Sequence, residues 1–222
     1  MTERPAGRGS YHHGALPEAL VGVAFELLDE LGQEQVTMRE VARRAGVSAG
    51  APFRHFADRR ALLTAVADRV LADFEAWQRA EVATATGGTG GTGATGAGEA
   101  AGAGAGDRRA VLRALGLGFV RYAVRHPHRF ALVRSRVFAS APQPELRERL
   151  SGIDRAYTEV IVADQAAGLL RPGDPELVGF AGQALVYGLA QMILDGYLPA
   201  ERAEEVAAQV LDTFGRGIAN PR

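Results

Sequence analysis

The chain has 222 residues, 47% of them hydrophobic, and a formal net charge of −1, so it can bury a sizeable core while its global charge predicts no partner. Cysteine and lysine are both absent, which excludes disulfides and thiolate metal sites and makes every permanent positive side chain an arginine. No apolar run approaches the roughly 20 residues of a membrane span, and the N-terminal MTERPAGRGSYHHGALPEAL lacks the apolar stretch of a secretory signal, so we expect a cytoplasmic chain with no membrane partner.

Leu16, Leu20, Val23, Leu27, Leu28 and Leu31 follow helical spacing, so 17–31 reads as an amphipathic helix with Pro17 in its first turn and Gly32 at its end. Thr37 is placed to cap a short helix, with Glu40 completing a capping box. Val41, Ala42 and Ala45 are expected to face inward. Asp58 then caps a helix over 59–82, with Leu62, Leu63, Val66, Val70 and Phe74 on one face. Residues 84–106, TATGGTGGTGATGAGEAAGAGAG, would cost backbone entropy to order with no burial in return, so the reading is a flexible loop. Its GxGxxG match, Gly91 to Gly96, lacks the strand before it and helix after it that a dinucleotide site needs. Further helices are expected over 107–125, 127–139, 143–168, 174–195 and 199–218, with Pro127, Pro142, Pro172 and Pro199 marking the breaks. The fold class is therefore all-α, about nine helices. It divides into an N-terminal arm (1–14), a three-helix unit (15–60), a connecting helix (61–82), the glycine-rich loop (83–106) and a C-terminal bundle (107–222).

Within 37–56 the spacing becomes specific. The small Ala42 permits close helix packing, and Gly46 can take the left-handed conformation that ends a helix. Val47 fills the corner and Ser48 is placed to cap a second helix. That is a helix-turn-helix pattern, although an ordinary helical hairpin shares much of it. Charge favours the first reading: six arginines (39, 43, 44, 54, 59, 60) stand against Glu40 and Asp58, the local positive potential that phosphate contacts need. Arg59, at a helix start, is placed to address a backbone phosphate together with the exposed N–H groups. Pro52 removes one hydrogen bond early in the second helix, so that helix should be short, distorted or 3₁₀-like, and should offer a nearly bare Ala-Gly-Ala surface.

TMREVARRAGVSAGAPFRHFADRRALL resembles the N-terminal domain of TetR-family transcriptional regulators, and YHHGALPEAL resembles the YHHG-type leader of one subgroup. The resemblance implies a homodimer whose recognition helices enter successive major grooves of a palindromic double-stranded operator. It also implies that a small-molecule effector in the C-terminal domain respaces those helices and releases the DNA. Carried over position by position, it makes 48–54 the recognition helix. Ala49, Gly50, Ala51 and Arg54 would lie closest to base edges, and Ser48 is counted among the DNA-binding residues. Thr37, Arg39, Phe53, His55 and Arg59 would lie near phosphates or flanking bases. Arg54 is the best base reader, because guanidinium grips a guanine edge with two hydrogen bonds. Phe53 stands where the family usually has tyrosine, which removes a phosphate-bonding hydroxyl. His12 and His13 read as part of an arm along DNA rather than as metal ligands, since neighbouring residues rarely point at one ion. No metal site and no cofactor is expected.

Residues 108–144 hold eight arginines and no acid. Two readings are open: recognition of an anionic ligand, or a solvated face paired with acidic helices carrying residues such as Glu145, Asp154 and Glu204. LRPGDPELVGFAGQALVYGLAQMILDGYL resembles the end of a WHG-type C-terminal domain, with Gln183 and Tyr187 in place of the tryptophan and histidine. The resemblance implies dimerisation through 174–195 and 199–218. A ligand pocket is expected among Phe119, Tyr122, Phe130, Tyr157 and Tyr187. No paired carboxylates, H-E-x-x-H, G-x-S-x-G or P-loop is present, so an enzyme is not expected. The reading is a ligand-responsive, dimeric repressor. The alternative is a helical small-molecule-binding or dimeric interaction protein that has lost operator binding.

Overall fold

A computed structural model describes residues 16–87, 105–137 and 144–220. They form α1 (Leu16–Leu31), a 3₁₀ turn (Gln33–Gln35), α2 (Met38–Arg44), a second 3₁₀ turn (Pro52–Arg54), α3 (Arg59–Thr86), α4 (Ala105–Arg125), α5 (Pro127–Val137), α6 (Pro144–Ala166), α7 (Pro175–Leu194) and α8 (Ala200–Ile218). The all-α class holds, with eight α-helices among the described residues rather than nine, because 48–54 closes only a 3₁₀ turn. The arm expected over 1–14, with His12 and His13, and the Gly91–Gly96 match lie outside the described residues. Residues 83–86, expected in the loop, continue α3, and 105–106 already belong to α4; the rest of the expected loop, 88–104, lies outside the described residues.

Two compact units divide between Val66 and Ala67, inside α3. In the first, the helical spacing of α1 buries Leu20, Ala24, Leu27 and Leu28. Val36, Val41, Leu62, Leu63 and Val66 are fully buried in the same unit, each such side chain contributing about 1.5–3 kcal/mol relative to exposure. Thr37 Oγ1 accepts the Glu40 N–H at 3.2 Å, as a cap should. The reciprocal half of the capping box does not form: the Glu40 carboxylate turns to the Arg43 guanidinium, at 2.8 and 2.6 Å. Past α2, Gly46 has φ +67°, the Gly46 N–H bonds Arg43 O at 3.3 Å and the Val47 N–H bonds Ala42 O at 3.0 Å. That paired closure is a Schellman ending, and it swings the chain out of α2 towards 48–54.

In the second unit α4 is central, packed against α5, α7 and α8, while α6 and α8 both pack on α7. Leu117, Val120, Val186, Leu189, Ile193 and Ala207 form one buried cluster. Asp174 caps α7 by accepting from the Glu176 and Leu177 N–H groups, with Pro175 at the first helical position. A single antiparallel bridge, Leu170 to Ala219, ties the loop before α7 to the end of α8.

Three of the eight arginines in 108–144 pair with acids. Arg113 meets Asp212 at 2.7 Å, Arg121 meets Glu81 at 2.7 Å and also Glu204, and Arg129 meets Asp73 at 2.6 Å. Of the acids expected as partners only Glu204 takes part in these pairs; the others come from α3 and α8, because those helices run beside α4. The 20-residue α7 holds an 18-residue window with a mean hydropathy of 1.6, long and apolar enough to cross a membrane by length and composition. Gln183, Tyr187 and Gln191 interrupt that window, so it is not a continuous apolar run of about 20 residues.

Candidate DNA-binding face and effector cavity

The Schellman ending delivers Ser48 to a tight turn in which its carbonyl accepts the Ala51 N–H at 2.9 Å. Its side chain does not cap the following turn, contrary to expectation; the residue before that turn is Ala51, which has no side-chain cap. Pro52 follows, and having no N–H it leaves the chain to close through Arg54 N–H to Ala51 O at 3.2 Å and His55 N–H to Pro52 O at 3.0 Å. Ala49, Gly50, Phe53, Arg54 and His55 are exposed, with Phe53 56% exposed. Ala51 is not part of that surface. It is buried together with Pro52, so the bare Ala-Gly-Ala face shrinks to Ala49-Gly50.

Partners sort five of the six arginines. Arg43 is held by Glu40, and its guanidinium keeps the Glu40 carboxyl below the usual carboxylate range. Arg44 meets Glu30 at 2.7 Å. Arg59 is half-buried and turned inward: Nε donates to Val36 O at 2.7 Å and a terminal nitrogen to Gln33 O at 2.5 Å. Its guanidinium braces the connection between α1 and α2 rather than standing free for phosphate. Asp58 Oδ1 accepts the Ala61 N–H at 2.8 Å and caps α3. Arg39 and Arg54 are exposed and have no ion-pair or hydrogen-bond partner among the described residues. Thr37 is exposed at the start of α2.

The second unit holds a cavity of about 1600 Å³ that is open on one side, walled by residues of α3 to α8, with the exposed Leu177 and Phe180 at its edge. The five aromatics picked from the sequence all line it, in two roles. The Tyr122 hydroxyl donates to Asp73 at 2.9 Å, and Tyr157 accepts from Gln78 Nε2 at 2.9 Å, so these two join polar networks. Phe119, Phe130 and Tyr187 make an aromatic wall, with ring centroids 5.0 Å apart for Phe130–Tyr187 and 6.0 Å for Phe119–Phe130. Burial pushes the Tyr157 and Tyr187 phenols up to about 12.

The comparisons with known proteins agree with this geometry. Residues 20–66 match the family model described as bacterial regulatory proteins, tetR family, and residues 112–214 match that of the tetracyclin repressor-like C-terminal domain. The chain belongs to the TetR family. Over 57 residues it is 40% identical to the tetracycline repressor protein class A from transposon 1721 of Escherichia coli, a stretch covering 26% of each chain. The chain thus spans only about a quarter of the length of the curated relatives it matches. It superposes on a protein with unknown function from Rhodococcus sp. RHA1 with TM-score 0.78 and 29% identity, covering 96% of this chain and 100% of that one. A TetR-family regulator from Pectobacterium atrosepticum shares the fold with TM-score 0.67 and 18% identity over 94% and 97% of the two chains.

In this TetR-family chain, sequence reasoning missed two features. Arg134 lines the cavity one helical turn after Phe130, a pairing that i, i+4 spacing on α5 makes legible. The Asp73–Tyr122–Arg129 network was illegible, because Asp73 lies on α3, about 50 residues before its partners.

Proposed function

We propose that this TetR-family regulator is a ligand-responsive repressor working in the cytoplasm. It binds a palindromic double-stranded operator as a homodimer and is released by a small molecule in the second-unit cavity. The observation that carries DNA binding is the pair of exposed guanidinium groups, Arg39 and Arg54, without a partner among the described residues, together with the exposed Ala49-Gly50 turn and Phe53. A guanidinium without a carboxylate is available to phosphate or to a guanine edge, and a turn without side chains lets the backbone come close. Arg54 is assigned to base reading; Arg39, Thr37, Phe53 and His55 are assigned to the phosphate flank.

Dimerisation is assigned to α7 and α8. Leu177, Phe180 and Met192 of α7 are 65%, 70% and 40% exposed, and Tyr197 just beyond it is 75% exposed. An apolar face of that extent is expected to be covered by a second copy. The same reading accounts for the hydropathy of α7 without a bilayer. The deciding experiment is a gel shift with DNA from upstream of the protein's own gene and its divergent neighbour, at rising salt. Arg54→Ala is expected to weaken specific binding by about 1–3 kcal/mol. No retardation of any promoter fragment at low salt, or binding indifferent to Arg54→Ala, would refute operator reading through this face.

A further inference from the structure

Five arginines line the cavity, at 109, 113, 134, 155 and 216, against Asp154, Asp174, Glu176 and Asp212. Two of those acids are already engaged: Asp212 holds Arg113 at 2.7 Å, and Asp174 caps α7. Arg109, Arg134 and Arg155 have no carboxylate partner among the described residues. The free lining charge is therefore positive. Arg134 stands out among the three because it lies one helical turn from Phe130 on α5, beside the aromatic wall. Its positive charge also reaches the Tyr187 phenol, opposing the upward push of burial there. Arg134 and the Tyr187 hydroxyl thus mark a polar end to a surface otherwise made of Phe119, Phe130 and the Tyr187 ring.

We propose that the cavity takes an amphipathic organic anion, with an aromatic body against Phe119, Phe130 and Tyr187 and a carboxylate or sulfonate at Arg134. Arg134 is exposed at the rim of the cavity, and its planar guanidinium offers an acid group two parallel hydrogen bonds while the apolar wall beside it takes the aromatic body. A neutral molecule with the same body keeps the wall contacts and loses the guanidinium. This rests on the cavity being the effector site, and the test keeps the two ideas apart.

Anilinonaphthalene sulfonate and phenylnaphthylamine are matched fluorescent probes, sharing an aromatic body and differing by the sulfonate. The full-length protein is expected to bind the anion roughly tenfold or more tighter than the neutral probe. Arg134→Gln should remove that preference and leave phenylnaphthylamine affinity unchanged, while Arg134→Lys retains part of it. Arg79→Gln removes the same charge outside the cavity lining and should change neither; melting temperatures confirm that each variant is folded. Equal affinity of the wild type for both probes, or equal losses for both in Arg134→Gln, would overturn the anion site. Operator release is scored separately in a gel shift. Arg134-dependent binding that leaves the protein–DNA complex intact would uphold the anion site and refute the effector reading. Release by a probe whose binding ignores Arg134 would do the reverse.

Discussion

Two glycines four residues apart should respond to alanine with opposite signs. Gly46 closes α2 at φ +67°, where an added Cβ finds no heavy atom within 4 Å. The cost of Gly46→Ala is then backbone strain alone, about 1–2 kcal/mol. Gly50 also has open space around an added Cβ, but its φ lies outside the left-handed region. Gly50→Ala should stabilise the fold by about 0.4–1 kcal/mol, by restricting the unfolded chain. Nothing among the described residues requires glycine at 50, and on the proposed reading a methyl there should hold the Ala49-Gly50 turn away from DNA. The assay pairs thermal melts with operator gel shifts, and at this chain length each 1 kcal/mol moves the melting temperature by about 2–4 °C. Gly46→Ala should lower the melting temperature, whereas Gly50→Ala should raise it slightly while weakening operator binding at least tenfold. Destabilisation by Gly50→Ala would refute the backbone assignment, and unchanged operator affinity would refute close approach at this turn.

Arg59→Met should destabilise the first unit by about 2–3 kcal/mol, through loss of two charge-assisted bonds to Val36 O and Gln33 O; unchanged stability to denaturant would show that the brace is idle. Tyr157 and Tyr187 ionise only near 12 in the folded state against an ordinary 10.0. Their folded pKa values exceed the unfolded ones, so the stability they contribute is complete below pH 10 and lost as pH rises from 10 towards 12. Melts across that range, with ultraviolet titration of the phenols, check it, and simultaneous ionisation of all five tyrosines near 10 in the folded protein would contradict it. Phe180→Glu places a charge on the most exposed apolar part of α7 and should weaken self-association at least tenfold by sedimentation, with binding of the palindrome lost in parallel.

Much local chemistry was legible in the sequence where a residue's role depends on its immediate neighbours, although Ser48 does not cap and the Glu40 carboxylate turns to Arg43. Thr37, Gly46 and Asp58 cap or close helices through bonds to groups at most a few residues away. Pro52 signalled a compact 3₁₀ turn because its missing N–H acts on the spot. The other failures involve partners far away along the chain. Nothing near Arg59 announces that its guanidinium will meet carbonyls at 33 and 36, and nothing near Ala51 says that its methyl turns inward while Ala49 stays outside. The cavity falls between these cases. Its aromatics follow from helical spacing, but its charge balance depends on which acids α7 and α8 engage.

The partners of the basic cluster carry a last consequence, one that separates having arginines from having phosphate contacts. Counterion release counts guanidinium groups that neutralise phosphate, each adding about 0.9 to the steepness of affinity against salt on a logarithmic plot. Arg43 already neutralises Glu40, and Arg44 meets Glu30, so neither is free to displace a counterion from DNA without giving up its acid. Arg39 has no such commitment among the described residues. Arg39→Gln should therefore flatten the salt dependence by about one unit per subunit and weaken all sequences alike. Replacing Arg43 and Glu40 together by glutamine removes a pair that is already neutral, and should leave the slope nearly unchanged. Arg54→Ala should relax sequence preference with a smaller change of slope, as befits a base reader. Equal flattening by Arg39→Gln and by the Glu40–Arg43 double substitution would mean that the ion pair opens on DNA, and the division of the cluster by its partners in the free protein would fail.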